Sequence, residues 1–171
     1  PYLGTFNLHA SLLPNYRGAA PINWVIINQE KYSGVTTFFI NEEIDTGAIL
    51  LQEKVKIEQK DTAGSLNEKL AEYGSVLICK TIKGIFEKSV SPKKQETNGS
   101  EKSAPKLNKE NVFIDWDQPL EIIEAKIRGL SPFPGARFNW IEDDKIAVIK
   151  IFEAEIINVN HHFEPKQVII I

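Results

Sequence analysis

Residues 88–105 divide this chain. Over that stretch Lys, Ser, Gln, Asn and Pro recur, no apolar period survives, and Asn98-Gly99-Ser100 marks a turn near its middle. Apolar patterning stops at it from both sides. The chain is therefore expected to fold as two units, 1–87 and 106–171, joined by a linker, each finding a core within its own length.

The first unit reads as α/β. Apolar residues run from Leu3 to Leu8 and end in a loop of Ser, Pro, Asn and Gly, as a buried strand ending near His9 would. A helix is expected over 20–28, with Pro21 in its first turn, then a β-branched and aromatic strand over 35–40. Ile49, Leu51, Val55 and Ile57 share one face of a further, half-exposed strand. Ser65 and Glu68 have the form of a capping box for a helix that reaches about Phe86, with Leu66, Leu70, Tyr73 and Leu77 along one face and a break possible at Gly74. This is half of an α/β sandwich, too little to cover a sheet on both faces unless upstream strands complete it. Pro at position 1, the lack of any Met and the closing Val168-Ile169-Ile170-Ile171 point the same way, to an internal piece of a longer protein.

In the second unit Asp117 or Gln118 can cap a helix carrying Pro119 in its first turn, with Leu120, Ile123, Ile127 and Leu130 on one face. Residues 138–141, an Asp143-Asp144 turn and the alternating 146–157 follow. One helix among short strands suggests a small β-barrel, cut short here. Trp116 and Trp140 are expected in its core, and Trp24 against the sheet of the first unit.

Composition narrows the function classes. No apolar run approaches the ~20 residues of a membrane helix, and no charged-then-apolar signal segment opens the chain. Cys79 is the only cysteine, which excludes a disulfide framework and a cysteine metal cluster and fits a reducing compartment. A soluble, cytoplasmic protein is expected. The net charge of −3 gives no nucleic-acid binding by bulk charge, so any such surface must be local.

Asn7-Leu8-His9 places an amide and an imidazole two residues apart, on one side of a strand end, where α/β sheets bind ligands. The imidazole can donate to an oxyanion or move a proton, and the carboxamide offers an N–H that does not titrate. Taken alone the pair could equally tie down a loop. Asp45-Thr46-Gly47 follows a second strand, and in a parallel sheet it would reach the same rim and orient the imidazole. Taken alone, it is better read as a plain Asp turn. An aspartic-protease reading needs two such carboxylates, and no second copy exists.

The segment from Phe6 to Pro21, with Asn7-Leu8-His9, Ser11-Leu12-Leu13-Pro14 and Tyr16-Arg17-Gly18-Ala19-Ala20-Pro21, closely resembles the active-site segment of folate-dependent formyltransferases, in particular the branch that formylates methionyl-tRNA. Gly34-Val35-Thr36 and Ile44-Asp45-Thr46-Gly47 continue the likeness. Lys106-Leu107-Asn108-Lys109, Ile114-Asp115-Trp116 and Ile127-Arg128-Gly129-Leu130-Ser131-Pro132-Phe133-Pro134 look like the start of that family's C-terminal domain. Ordered matches in both halves are more specific than any one motif.

The resemblance implies the C-terminal half of a Rossmann-like formyltransferase domain over 1–87, a linker over 88–105 and a partial OB-like barrel that binds tRNA over 106–171. It implies Asn7, His9 and Asp45 as the catalytic trio and Ser11, Leu12, Leu13 and Pro14 as lining for the folate. The reaction would move a formyl group from 10-formyltetrahydrofolate to the α-amino group of methionyl initiator tRNA in translation initiation, with no metal, no membrane and a monomeric enzyme. Lys106, Lys109 and Arg128 would meet the tRNA. Lys88, Lys93, Lys94, Lys102, Lys106 and Lys109 outnumber Glu96 and Glu101 along the linker, a local surplus able to neutralise phosphates, although charge runs are usually solvated faces. Two alternatives remain. One is a formyltransferase acting on an amino-sugar nucleotide, which shares the same elements; the other is a noncatalytic RNA-binding relative, against which the intact trio argues. His161-His162 has only Glu164 near it and reads as a turn rather than a metal site. Asn98-Gly99-Ser100 has the form of a glycosylation acceptor, without a secretory signal to deliver it.

Overall fold

A computed structural model of the chain describes residues 2–142 and 145–157. Strand β1 (Phe6–His9) runs into a loop, and β2 (Arg17–Gly18) and helix α1 (Pro21–Ile27) follow. Then come β3 (Tyr32–Phe39), β4 (Ile49–Lys56) and the long helix α2 (Ala63–Phe86). The sheet has the order β1-β3-β4 and both pairings are antiparallel, with Asn7 opposite Phe38 and His9 opposite Thr36. The short 40–48 connection could not carry a parallel crossover. The rim shared by parallel strands is therefore absent. Phe39 lies opposite Phe6, at the far end of β1 from His9, and the 40–48 loop has to bring Asp45 back.

Helix α2 covers one face of this sheet. Leu66, Leu70 and Leu77 are buried with Val35, Val55, Val25 and Ile26 in one core. Tyr73 is not on that face and stands 44% exposed; Gly74 takes its place because Leu8 of β1 comes so close that a Cβ there would lie 2.7 Å from its Cδ2, and the helix runs through it without a break. Thr81 and Thr37 satisfy each other's buried hydroxyls at 2.8 Å. The N-cap is Thr62 rather than Ser65. Thr62 Oγ1 accepts from the Ser65 N–H and Ser65 Oγ accepts from the Thr62 N–H, so the box closes one turn earlier than Ser65 and Glu68 suggest.

Asp61 fixes that cap. Its carboxylate accepts from Lys69 Nζ at 2.7 and 2.8 Å, from Ser65 Oγ at 2.9 Å and from the Glu58 N–H at 2.8 Å. Burial works to raise this carboxyl, but Lys69 and the two hydrogen bonds outweigh it and hold it below the usual aspartate range. A depressed carboxyl stabilises the fold above its unfolded value of about 3.9 and loses that contribution as pH falls through the lower folded value. Asp61→Asn is expected to cost about 2 kcal/mol at pH 7. Urea midpoints of the two proteins should begin to converge below pH ~4 and meet once pH is below the folded value; a gap unchanged from pH 7 down to the acid limit of the fold would refute the assignment.

The second unit begins beyond β5 (Ser103–Ala104) and contains α3 (Leu120–Leu130), β6 (Ala136–Glu142) and β7 (Lys145–Ile151). Pro119 itself occupies the cap position of α3, so neither Asp117 nor Gln118 does. Val112, Ile114, Ile123, Ile127, Leu130 and Ala136 form its core, with Ile27 of α1 against them. Asn23 Nδ2 donates to Gly129 O at 2.7 Å across the same contact. The two strands form an antiparallel hairpin; among the described residues no closed barrel is present. Residues 158–171, with the expected closing strand and His161-His162, lie outside the described residues, as does the Asp143-Asp144 turn. Trp116 is 40% exposed and meets Phe138 edge to face at 5.5 Å, and Trp140 is half-buried, so neither tryptophan is a fully buried core residue. Trp24 packs against the first core and donates Nε1–H to Pro105 O. Among the described residues no helix is long and apolar enough to cross a membrane.

Candidate functional site

Strand alternation sets the first two residues of the site. Asn7 is exposed and His9 buried at the end of β1. His9 Nε2 lies 2.7 Å from the carbonyl of Tyr16, which can only accept, so Nε2 carries a proton and Nδ1 is the nitrogen left to gain or lose one. Nδ1 faces Asp45 Oδ2 at 3.6 Å, just beyond direct hydrogen-bond reach. The same Oδ2 accepts from the Gly18 N–H at 2.9 Å. His9 and Asp45 are thus brought together as the sequence implies, although by a doubled-back loop and not by a shared rim.

That loop is held tightly. Asp45 has φ 56°, a left-handed conformation that aspartate tolerates better than most residues. Gly47 is forced by space, since a Cβ there would lie 1.6 Å from the backbone oxygen of Phe39.

The Ser11-Leu12-Leu13-Pro14 loop divides in two. Ser11 and Leu13 are buried, at 0% and 3% exposure, and support the loop from within; Leu12 and Pro14 are half-buried and offer it an apolar outer surface. Thr36 Oγ1 donates to Ser11 O and accepts from the Leu13 N–H, while Gln52 Nε2 donates to Leu13 O at 2.7 Å. Behind His9, the Tyr16 hydroxyl donates to Glu30 Oε1 at 2.7 Å, and Lys102 Nζ reaches the same oxygen at 2.7 Å. Burial and the Glu30 hydrogen bond push the Tyr16 phenol up, so it stays a donor. Burial also works to raise Glu30, but Lys102 and Tyr16 outweigh it and keep it ionised.

Residues 88–105 are mostly exposed, as their composition suggests, but their path is pinned at several points. Lys93 exchanges both backbone hydrogen bonds with Ile49 at 2.8 Å. Lys102 O accepts from the Tyr16 N–H, β5 pairs in parallel with β2, and Ala104 O accepts from the Ala20 N–H. The segment is a strap across the site, and Gln95, buried within it, touches both the Asp45 loop and Arg17. Of the expected RNA contacts, Lys106 and Lys109 are exposed. Arg128 is committed elsewhere, to Glu124 and to the Asp61 carbonyl, and serves as a clamp between α3 and the first unit. Thr36, Gln52 and Gln95 had no signal as isolated letters; each acts through backbone atoms of distant residues, while Tyr16 acts through its hydroxyl on Glu30 and its carbonyl on His9. Among the described residues no three His, Cys, Asp or Glu side chains converge as a metal site requires.

The formyl transferase family model matches residues 1–82, and that of the formyl transferase C-terminal domain matches residues 106–170. A methionyl-tRNA formyltransferase of Flavobacterium johnsoniae is 49% identical over 169 residues, covering 99% of this chain and 54% of the relative. One from Clostridium tetani is 48% identical, covering 96% and 52%. The chain thus spans about half the length of the curated relatives it matches. Among solved structures, the N-formyltransferase of Helicobacter canadensis, in complex with folinic acid and dTDP-3-aminofucose, superposes with TM-score 0.66 at 34% identity, covering 72% of this chain and 46% of that one. A sugar N-formyltransferase from Shewanella gives 0.70 at 25% identity, covering 90% and 62%. With the N- and C-terminal domain models matched in order on one chain, and the imidazole–carboxylate pair lying inside the first, this chain belongs to the formyl transferase family.

Proposed function

We propose that the protein carrying this chain transfers the formyl group of 10-formyltetrahydrofolate to the α-amino group of methionyl initiator tRNA, as a monomer in the cytoplasm during translation initiation. The observation that carries this reading is the 49% identity to a methionyl-tRNA formyltransferase across nearly the whole chain, against 34% over a shorter stretch for the sugar enzyme. The His9–Asp45 geometry is what the chemistry needs.

The amine attacks the formyl carbon, and the C–N bond to folate N10 breaks after a tetrahedral intermediate. Its oxygen takes hydrogen bonds from the Asn7 carboxamide and from Nδ1 of His9 when that nitrogen is protonated. The amine loses one proton and N10 gains one. Asp45, beside Nδ1, holds the imidazole in its working form and assists that transfer through water. Leu12 and Pro14 supply an apolar edge suited to a flat pterin ring, with Ser11 and Leu13 bracing it. Lys106 and Lys109, exposed where the second unit begins at 106, would offer their charges to phosphates.

A second acceptor merits a direct test, because the Helicobacter neighbour was solved with an amino-sugar nucleotide. The intact protein, given 10-formyltetrahydrofolate with either methionyl initiator tRNA or dTDP-3-aminofucose, is expected to formylate the RNA at least about 10²-fold more efficiently in kcat/KM, since a site built for one acceptor leaves polar groups unpaired with another. Preference for the sugar would move the protein to that branch. RNA binding without turnover would make it a noncatalytic relative.

A further inference from the structure

The Gln95 carboxamide has all of its hydrogen-bonding capacity engaged. Nε2 donates to Asp45 O at 2.8 Å and to Gly47 O at 2.9 Å; Oε1 accepts from Arg17 Nε at 3.2 Å and Nη2 at 2.6 Å. The orientation is unambiguous, because a guanidinium only donates and the two carbonyls only accept. Gln95 is 7% exposed, and nothing in the chemistry of a linker calls for a buried amide of this kind.

Its partners are the two segments that hold the carboxylate facing His9. Asp45 is fixed at its side chain by the Gly18 N–H, next to Arg17, and at its carbonyl by Gln95. One side chain therefore spans from the β2 segment, which grips Asp45 Oδ2, to the backbone of Asp45 itself. The gap from Asp45 Oδ2 to His9 Nδ1 is 3.6 Å, so a shift of a few tenths of an ångström decides whether the two hydrogen-bond directly.

We propose that Gln95 is a positioning residue for formyl transfer: its carboxamide sets the placement of Asp45 relative to His9 from outside the catalytic segments. This rests on the functional reading above. Gln95 touches no reacting atom in the structure, so its effect falls on the chemical step and not on substrate capture.

The test uses the intact protein and steady-state formylation of methionyl initiator tRNA, with Gln95→Ala, Gln95→Glu, Asp45→Asn and the Gln95→Ala/Asp45→Asn double variant. Gln95→Glu is nearly isosteric and keeps an acceptor for Arg17, but it turns an acceptor toward both carbonyls. Should Gln95→Ala fail to fold, Gln95→Glu still carries the test and forms the double variant in its place, with melting temperatures recorded beside the rates. Each single Gln95 change is expected to lower kcat about tenfold or more while KM for both substrates stays within about threefold. In the Asp45→Asn background the same change should cost less than about threefold, because the residue it acts through is already disabled. Wild-type kcat in Gln95→Glu, an effect confined to KM, or full additivity with Asp45→Asn would each overturn the proposal while leaving the function standing. An unaltered protein without transfer activity overturns both.

Discussion

His9→Ala is expected to reduce kcat for formyl transfer by about 10³-fold, with KM for the folate donor changed little. The substitution removes a donor to the oxyanion, worth roughly 10²–10³, and with it the group that Asp45 orients. Binding is spared because the apolar edge at Leu12 and Pro14 is braced by Thr36 and Gln52, not by His9. Asp45→Asn should cost less, about 10²-fold, since its carboxamide oxygen can still accept from the Gly18 N–H and keep the loop in place. Initial rates on the intact proteins, with near-ultraviolet circular dichroism to confirm folding, measure both. A His9→Ala enzyme retaining more than about a tenth of the unaltered kcat would remove His9 from the chemistry.

Gly47→Ala is the second large effect. The added carbon would sit 1.6 Å from Phe39 O and 2.8 Å from Phe39 C, both backbone atoms of a sheet strand that cannot swing aside. The loop must move instead, which breaks the Gln95 bond to Gly47 O and displaces Asp45. A loss of about 3 kcal/mol in stability and at least 10²-fold in kcat is expected. Gly99→Ala is the contrast. At φ +84° it carries backbone strain of about 1 kcal/mol but has nothing within 4 Å, so activity should be unchanged. Equal losses at the two positions would mean that generic loop strain, and not the contact with Phe39, explains the glycine of Asp-Thr-Gly.

Much of the site could be read from the sequence where a local rule fixes geometry. Asn7 and His9 share a side of β1 because strands alternate, and Pro21 opens α1 where a helix accepts proline. Reading failed where tertiary contacts decide. Ser65 can serve as a cap or as the third residue of a box capped by Thr62, and the buried Asp61–Lys69 cluster selects the second. Arg128 reads as a free cation until Glu124 and the Asp61 carbonyl are seen around it. The antiparallel order was accessible in principle, since 40–48 is too short for a crossover; the assumption of parallel strands hid it.

The strap over 93–104 escaped for a different reason, and that reason governs how the segment can change over time. It is anchored by backbone groups of Lys93, Lys102 and Ala104, and by the side chains of Gln95, Lys102 and the buried Ala104. Its other letters are therefore free to drift while its path stays fixed. Substitutions should accumulate there as they would in disordered chain, yet insertions beside the anchors should be selected against as they are in a core strand. The exposed excursion at 97–101, closed on itself by Asn98 and Glu101, is where length can vary without moving an anchor.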